Sequence, residues 1–201
     1  MIKDIDGVKF KITNQSDDIQ RHIVGGRFYE QKDLDILKEY LQKGWNILDV
    51  GTNIGNHTFF FARYFEPKVI YVTEPFKLNR DVLLENVSLN NFNCINTDYI
   101  NYALGNESGH CSVEFYVPDN PGGAVLKTDD GGEIPLTSGD SLFSDKQIDF
   151  IKIDVEGMEK EVIEGLQVTI DINKPLMFIE IRHPNRDWFN RWLKDNNYEN
   201  K

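Results

Sequence analysis

The chain is nearly free of cysteine: Cys94 and Cys111 are the two thiols among its 201 residues. They form no metal-spaced cluster and are too few for a disulfide framework, so both are expected as reduced, partly buried side chains, and no metal site is expected from them. Positive charge is also scarce, with 22 Lys and Arg against 33 Asp and Glu and a net charge of −11. Such a balance repels a polyanion and argues against a nucleic acid held through its phosphates. No run is long and apolar enough to cross a bilayer, and the opening Met1-Ile-Lys-Asp-Ile-Asp6 lacks the apolar core of a secretory signal. The chain therefore reads as cytoplasmic, with no membrane partner. Two phosphate-binding signatures are missing too, G-x-G-x-x-G and a loop ending in G-K-[ST].

What is present centres on Ile47-Leu-Asp-Val-Gly-Thr-Asn-Ile-Gly-Asn56. An apolar run ending in Asp-x-Gly-x-Asn-x-Gly is a strand entering a tight glycine turn. Gly51 and Gly55 allow dihedrals closed to other residues and clear side chains from where a ligand must approach. The helix expected from about Asn56 to Phe65 then turns its N-terminal amides toward that ligand. A second apolar strand, Val69 to Thr73, ends on Glu74. A carboxylate there suits two ribose hydroxyls, as in dinucleotide folds. With no phosphate signature, the pattern fits a nucleoside without phosphate, of which S-adenosylmethionine is the commonest. The alternative is that Asp49 and Glu74 only cap turns.

The length fits one domain, residues 1–201. Residues 1–44 read as a hairpin around Asp6-Gly7 followed by a helix over about Gln31 to Gln42, whose Leu34, Leu37 and Leu41 share a face. Then come strand Trp45 to Val50, its helix, the second strand, a helix over about Leu78 to Leu89, strand Ile148 to Ile153, a helix near Gly157 to Leu166, and strand Leu176 to Ile181. Apolar strands alternating with amphipathic helices predict a doubly wound α/β domain with a mostly parallel sheet. Residues 105–140 interrupt the alternation with strand-like Cys111 to Val117 and the turn-rich Pro118-Asp-Asn-Pro-Gly-Gly123. That insertion reads either as a flap over a substrate pocket or as a solvated hairpin. After a helix near Asp187 to Asn196, few residues are left for a closing strand.

A second dense cluster is Ile151-Lys-Ile-Asp-Val-Glu-Gly-Met-Glu159. Asp154 falls at the carboxyl end of a strand expected beside the first one, where strand order reverses and ligands bind. Lys152 and Asp154 alternate onto one side of the extended chain and so are expected as neighbours. Glu156 is expected at the start of the next helix, where a carboxylate offsets the dipole.

These residues also carry a family resemblance. Asp49 to Thr58, Glu74-Pro75, Asn86, Ala103-Leu-Gly105 and Ile151 to Glu159, followed by Lys174-Pro175 and Glu180, resemble the FkbM family of S-adenosylmethionine-dependent methyltransferases, over about Tyr29 to Glu180. The resemblance implies a Rossmann-like class I methyltransferase fold and methyl transfer, typically to a hydroxyl of a glycan or small-molecule natural product. It implies that Asp49, Gly51, Asn53 and Gly55 line the cofactor's methionine end, Glu74 its ribose, and Phe76 with Ala103 its adenine, while Asp154 faces the transferred methyl. The C-terminal strand pair usual in the class is shortened.

An alcohol is a poor nucleophile while it keeps its proton, so a base or a bound cation is needed near the acceptor. The catalytic candidates are Asp154, its neighbour Lys152 and His183, which titrates in the physiological range. His57 is expected as a structural or cofactor-adjacent group. Asp154, Glu156 and Glu159 offer oxygen ligands for Mg²⁺, but their spacing alone makes no cation site. A non-catalytic S-adenosylmethionine-binding or interaction module is the alternative to an enzyme.

Overall fold

Alternation along the central strand fixes the layers. In the computed structural model, which describes residues 1–200, Ile47 packs with the aromatic residues Phe59, Phe60 and Phe61 on one face of the sheet. Leu48 and Val50 face Val162, Ile163 and Ile170 on the other. Both faces are thus covered, as near-continuous apolar strands require.

The chain opens with the hairpin β1 (Ile2–Ile5) and β2 (Val8–Lys11), then helices α1 (Asp18–Val24) and α2 (Gln31–Leu37). The Rossmann-like unit begins with β3 (Asn46–Val50), α3 (Asn56–Phe65), β4 (Val69–Thr73), α4 (Lys77–Leu89) and the short β5 (Ile95–Asn96). Next come β6 (Ala103–Gly105), β7 (Gly109–Val117), β8 (Asn120–Thr128), β9 (Ile134–Ser138) and α5 (Gly139–Phe143). The unit resumes with β10 (Phe150–Ile153), α6 (Glu159–Gly165), α7 (Gln167–Asn173) and β11 (Leu176–Ile179), and α8 (Arg186–Asp195) follows a 3-10 turn over His183–Asn185.

The main sheet is parallel, in the order β11-β10-β3-β4-β5. Strand order reverses between β3 and β10, the expected position for a ligand cleft. The 105–140 insertion is not a loop. Strands β7 and β8 form a long antiparallel hairpin within a four-stranded sheet, β6-β9-β7-β8. Among the described residues, β11 has a strand neighbour on one side only.

Several boundaries differ from the sequence-based expectations. Helix α2 ends at Leu37 rather than near Gln42, because its last turn tightens into three-residue bonds from Glu39 to Ile36 and Tyr40 to Leu37. Helix α1 was not expected, although Asp17 marks its start by accepting a hydrogen bond from Gln20 N–H. The helix expected from Gly157 starts at Glu159, since Glu156 and Gly157 hold φ of 57° and 118°. Glu156 is therefore not a helix-start residue; its carboxylate pairs with Arg182.

Candidate active site

The carboxyl ends of β3, β4, β10 and β11 open on one side of the sheet. Gly51 has φ of 76°, and a Cβ there would lie 1.8 Å from the Asp154 carbonyl oxygen. Only glycine lets the ends of β3 and β10 approach this closely.

The loop after β3 spends its amides on itself and on the end of β4. Gly51 and Thr52 N–H both donate to the Thr73 carbonyl at 3.0 Å, and Gly55 N–H donates to Thr52 at 3.0 Å. Asn53 N–H donates to Glu74 Oε2 at 2.7 Å, and Ile54 N–H to the Asn53 side-chain oxygen at 2.7 Å. A phosphate would find no free backbone amide along residues 51–55. This agrees with the missing phosphate signatures.

Acceptors, by contrast, face the opening. Glu74 is 5% exposed, and its Oε1 takes a 3.0 Å bond from Phe76 N–H. Burial pushes its carboxyl up to about 7, against the pull of the two amides. Each oxygen keeps a second lone pair, enough for a ribose diol. Beside it, the buried Thr73 hydroxyl has no hydrogen-bond partner among the described residues. Glu74, Asp154 and the orphaned Thr73 hydroxyl suit a cationic nucleoside bearing hydroxyls, which S-adenosylmethionine is.

Lys152 organises the centre. It stands in register opposite Asp49 on β3, and its Nζ donates to the Gly51 carbonyl at 2.6 Å. Asp49 Oδ1 lies 3.5 Å away and Asp154 Oδ2 3.4 Å away. Burial alone would push the ammonium down, but the two carboxylates outweigh it and hold it above its usual range. Burial likewise raises Asp154, and Lys152 with the nearby His57 more than reverses this, leaving Asp154 below the ordinary carboxylate range. Asp154 is thus held ionised, which suits orientation better than proton removal.

The cleft holds roughly 600 Å³ of space outside the protein atoms, open solvent included. Gly51, Asn53, Glu74, Phe76, Ala103 and Asp154 all line it. The β7–β8 hairpin roofs it with Gly122, Ala124 and Leu126. Asn79 Nδ2 donates to Pro121 O at 3.2 Å, and the Tyr116 ring lies 5.1 Å from Phe76. Of the two readings of this segment, the hairpin lies over the pocket.

Other expected site residues stand behind the lining. Asp49 is fully buried and accepts a 2.5 Å bond from the Thr58 hydroxyl. The Asn56 side chain bonds both backbone groups of Tyr29, at 2.9 and 3.1 Å, and Gly55 turns α3 inward. His57 is buried, with Nε2 3.3 Å from Glu30 Oε2. His183 is exposed on the 3-10 turn, outside the lining. Glu159 accepts from Gly157 N–H at 2.6 Å and Asn185 Nδ2 at 2.6 Å. No group of three or more His, Cys, Asp or Glu among the described residues is arranged to hold a metal.

Sequence reasoning missed three residues here. Asn79 ties the hairpin down, Glu30 pairs with His57, and Glu180 stands at the strand end next to that of Asp154. Glu180 follows β11 directly, its N–H donating to Ile153 O at 3.0 Å, beside the end of β10 that carries Asp154. Its position at a strand's carboxyl end was the available signal.

A parallel sheet with a glycine loop after its central strand, an acid ending the next strand and a cleft at the order reversal defines a Rossmann-like methyltransferase domain. The sequence matches the Methyltransferase FkbM domain over residues 49–199, about three quarters of the chain. The chain belongs to the FkbM family of S-adenosylmethionine-dependent methyltransferases. Solved structures share the fold. A methyltransferase FkbM from Methylobacillus flagellatus KT is 20% identical with a TM-score of 0.55, over 82% of this chain and 44% of that one. The chain thus spans under half the length of that relative. A precorrin-6y C5,15-methyltransferase from Geobacter metallireducens GS-15 is 13% identical with a TM-score of 0.54, over 94% and 77% of the two chains. A tRNA (uracil-54, C5)-methyltransferase from Pyrococcus abyssi, in complex with S-adenosyl-L-homocysteine, is 14% identical with a TM-score of 0.51, over 96% and 37%. No curated protein matches the sequence.

Proposed function

We propose that the chain transfers the methyl group of S-adenosylmethionine to a hydroxyl oxygen of a sugar or small natural product. The observation that carries this reading is the pairing, within one cleft, of a ribose-suited acid, Glu74, after β4 with an ionised carboxylate, Asp154, after β10, on the other side of the central strand β3. When bound, the cofactor supplies an electrophilic methyl on a sulfonium. Glu74 accepts the ribose hydroxyls, and Phe76 and Ala103 offer an apolar wall to the purine. Lys152 keeps Asp154 ionised and fixes the Gly51 carbonyl, so that Asp154 can accept a hydrogen bond from the acceptor hydroxyl and hold its oxygen in line. Such positioning supplies several kcal/mol of a methyl-transfer barrier, from about 7 upward in the best cases. The net charge of −11 and the acidic cleft favour a small neutral or cationic acceptor over a polyanion.

The metal-free form of the mechanism is supported by the partners of the acids: Glu159 is used by Gly157 and Asn185, and Glu156 by Arg182. The test is mass spectrometry of methyl glycosides and hydroxylated small molecules after incubation with deuteromethyl-labelled cofactor. Label on oxygen is expected; label on carbon or nitrogen alone would refute the oxygen-directed reading.

A further inference from the structure

We propose that Glu180 is the base that takes the acceptor's proton, and that it works with Asp154 as one proton-sharing pair at the mouth of the cleft. The inference rests on the methyltransferase reading and adds to it the group that Asp154, held ionised, does not supply.

Geometry carries the argument. Glu180 stands at the carboxyl end of β11 and Asp154 at that of β10, adjacent parallel strands whose last register pair is Ile153 with Ile179, and Glu180 N–H donates to the Ile153 carbonyl at 3.0 Å, which makes the two acids cross-strand neighbours. Two carboxylates have only acceptors between them, so a hydrogen bond from one to the other takes one proton. Lys152 sits against Asp154 and not Glu180 in the ion pairs, which assigns the charge to Asp154 and the proton to Glu180. Glu180 is also the more exposed partner, so it can be reached by an acceptor entering from solvent.

The surroundings set the proton affinity. Burial, the charges of Asp154 and Glu30, and the shared hydrogen bond push Glu180 up to about 7, with Lys152 pulling the other way. The charged and titratable groups facing the pair are Lys152 from β10, Asp49 from β3, His57 from α3, Tyr29 and Glu30 from the segment before α2, and Glu74 after β4. A base titrating near neutrality combines availability with proton affinity better than an ordinary carboxylate.

The step balances. The acceptor oxygen forms its bond to the methyl carbon as the carbon–sulfur bond breaks, with that electron pair going to sulfur. The hydroxyl proton passes to ionised Glu180, which then donates it in a hydrogen bond to Asp154. The proton returns to water from the exposed side before the next turnover.

The test reads titration and transfer together. Carbon-13 NMR of the full chain labelled at Glu and Asp carboxyls, with the Glu180 signal assigned by its loss in Glu180→Gln, should show Glu180 titrating near neutral pH. In Asp154→Asn that titration should move down toward the ordinary carboxylate range, because the like charge is gone. Calorimetry with S-adenosylmethionine should give Glu180→Gln an affinity within about threefold of the parent, while its transfer to methyl glycosides falls roughly 10²–10⁴-fold and loses the rise with pH through neutrality. Glu180 titrating as an ordinary carboxylate, no movement in Asp154→Asn, or an unchanged pH profile in Glu180→Gln would each overturn the pair and leave the methyltransferase reading standing. Absence of cofactor binding in the parent protein would instead overturn that reading.

Discussion

Replacing Glu74 with Gln should separate the cost of burying a carboxyl from its use in binding. In the cofactor-free protein the carboxyl is raised from 4.5 to about 7 by burial. A group raised in the folded state stabilises it fully below its unfolded value and loses that contribution as pH rises through the folded value. A shift of 2.5 units at 1.36 kcal/mol each is about 3 kcal/mol, withdrawn between about pH 4.5 and 7. Urea unfolding of parent and Glu74→Gln across this window should therefore show the variant gaining on the parent by up to about 3 kcal/mol as pH rises. Binding runs the other way. Ribose hydroxyls donate to the ionised carboxylate, so parent affinity should increase as pH rises through about 7. Affinity in Glu74→Gln should be flat with pH and, above that value, weaker by the roughly 1.5–3 kcal/mol of a charged hydrogen bond. Methylthioadenosine is the calorimetric probe of choice, because it keeps the ribose and lacks the ionising amino acid. Parallel pH dependences of stability and of affinity in the two proteins would refute the reasoning.

Three further outcomes follow from the same contacts. Asp154→Asn should keep the fold and, in calorimetry, cofactor affinity within about threefold, while single-turnover methyl transfer falls roughly 10²–10⁴-fold; full activity would remove Asp154 from the acceptor side. Lys152→Met strips the buried Asp49 carboxylate of its cation and should cost about 3–5 kcal/mol in chemical denaturation, a loss that adding Asp49→Asn should partly restore; a change under about 1 kcal/mol would contradict the buried triad. Excess chelator should leave methyl transfer intact, given the partners of Glu156 and Glu159; strict dependence on added Mg²⁺ would contradict the metal-free reading.

Local chemistry made part of this site legible in the sequence. The glycine turn after β3, the acid ending β4 and the alternation that sets Lys152 beside Asp154 each follow from a few adjacent residues and the period of a strand. Strand parity also explains the contact of Lys152 with Asp49, since the two are register partners on one face. Convergence across distant segments was not legible. Glu30 and Glu180 meet His57 and Asp154 only because α2 and β11 pack beside the centre, and neither has a local signal beyond its place at an element end. Side-chain direction was hidden as well. Asn56 opens α3 as expected, yet its amide serves Tyr29. The hairpin carries turn residues in its sequence, but contacts from distant segments, Asn79 to Pro121, Phe76 to Tyr116 and Asn14 to Pro118, fix it over the cleft.

The account stands most directly on where the cofactor lies, and a crystal structure of the full chain with S-adenosylhomocysteine tests it. The ribose hydroxyls should fall within hydrogen-bond distance of Glu74, the adenine against Phe76 and Ala103 beneath the hairpin, and the sulfur toward the Asp154 end of the cleft. A ligand bound elsewhere, or one in the cleft with its ribose turned away from Glu74, would contradict the account.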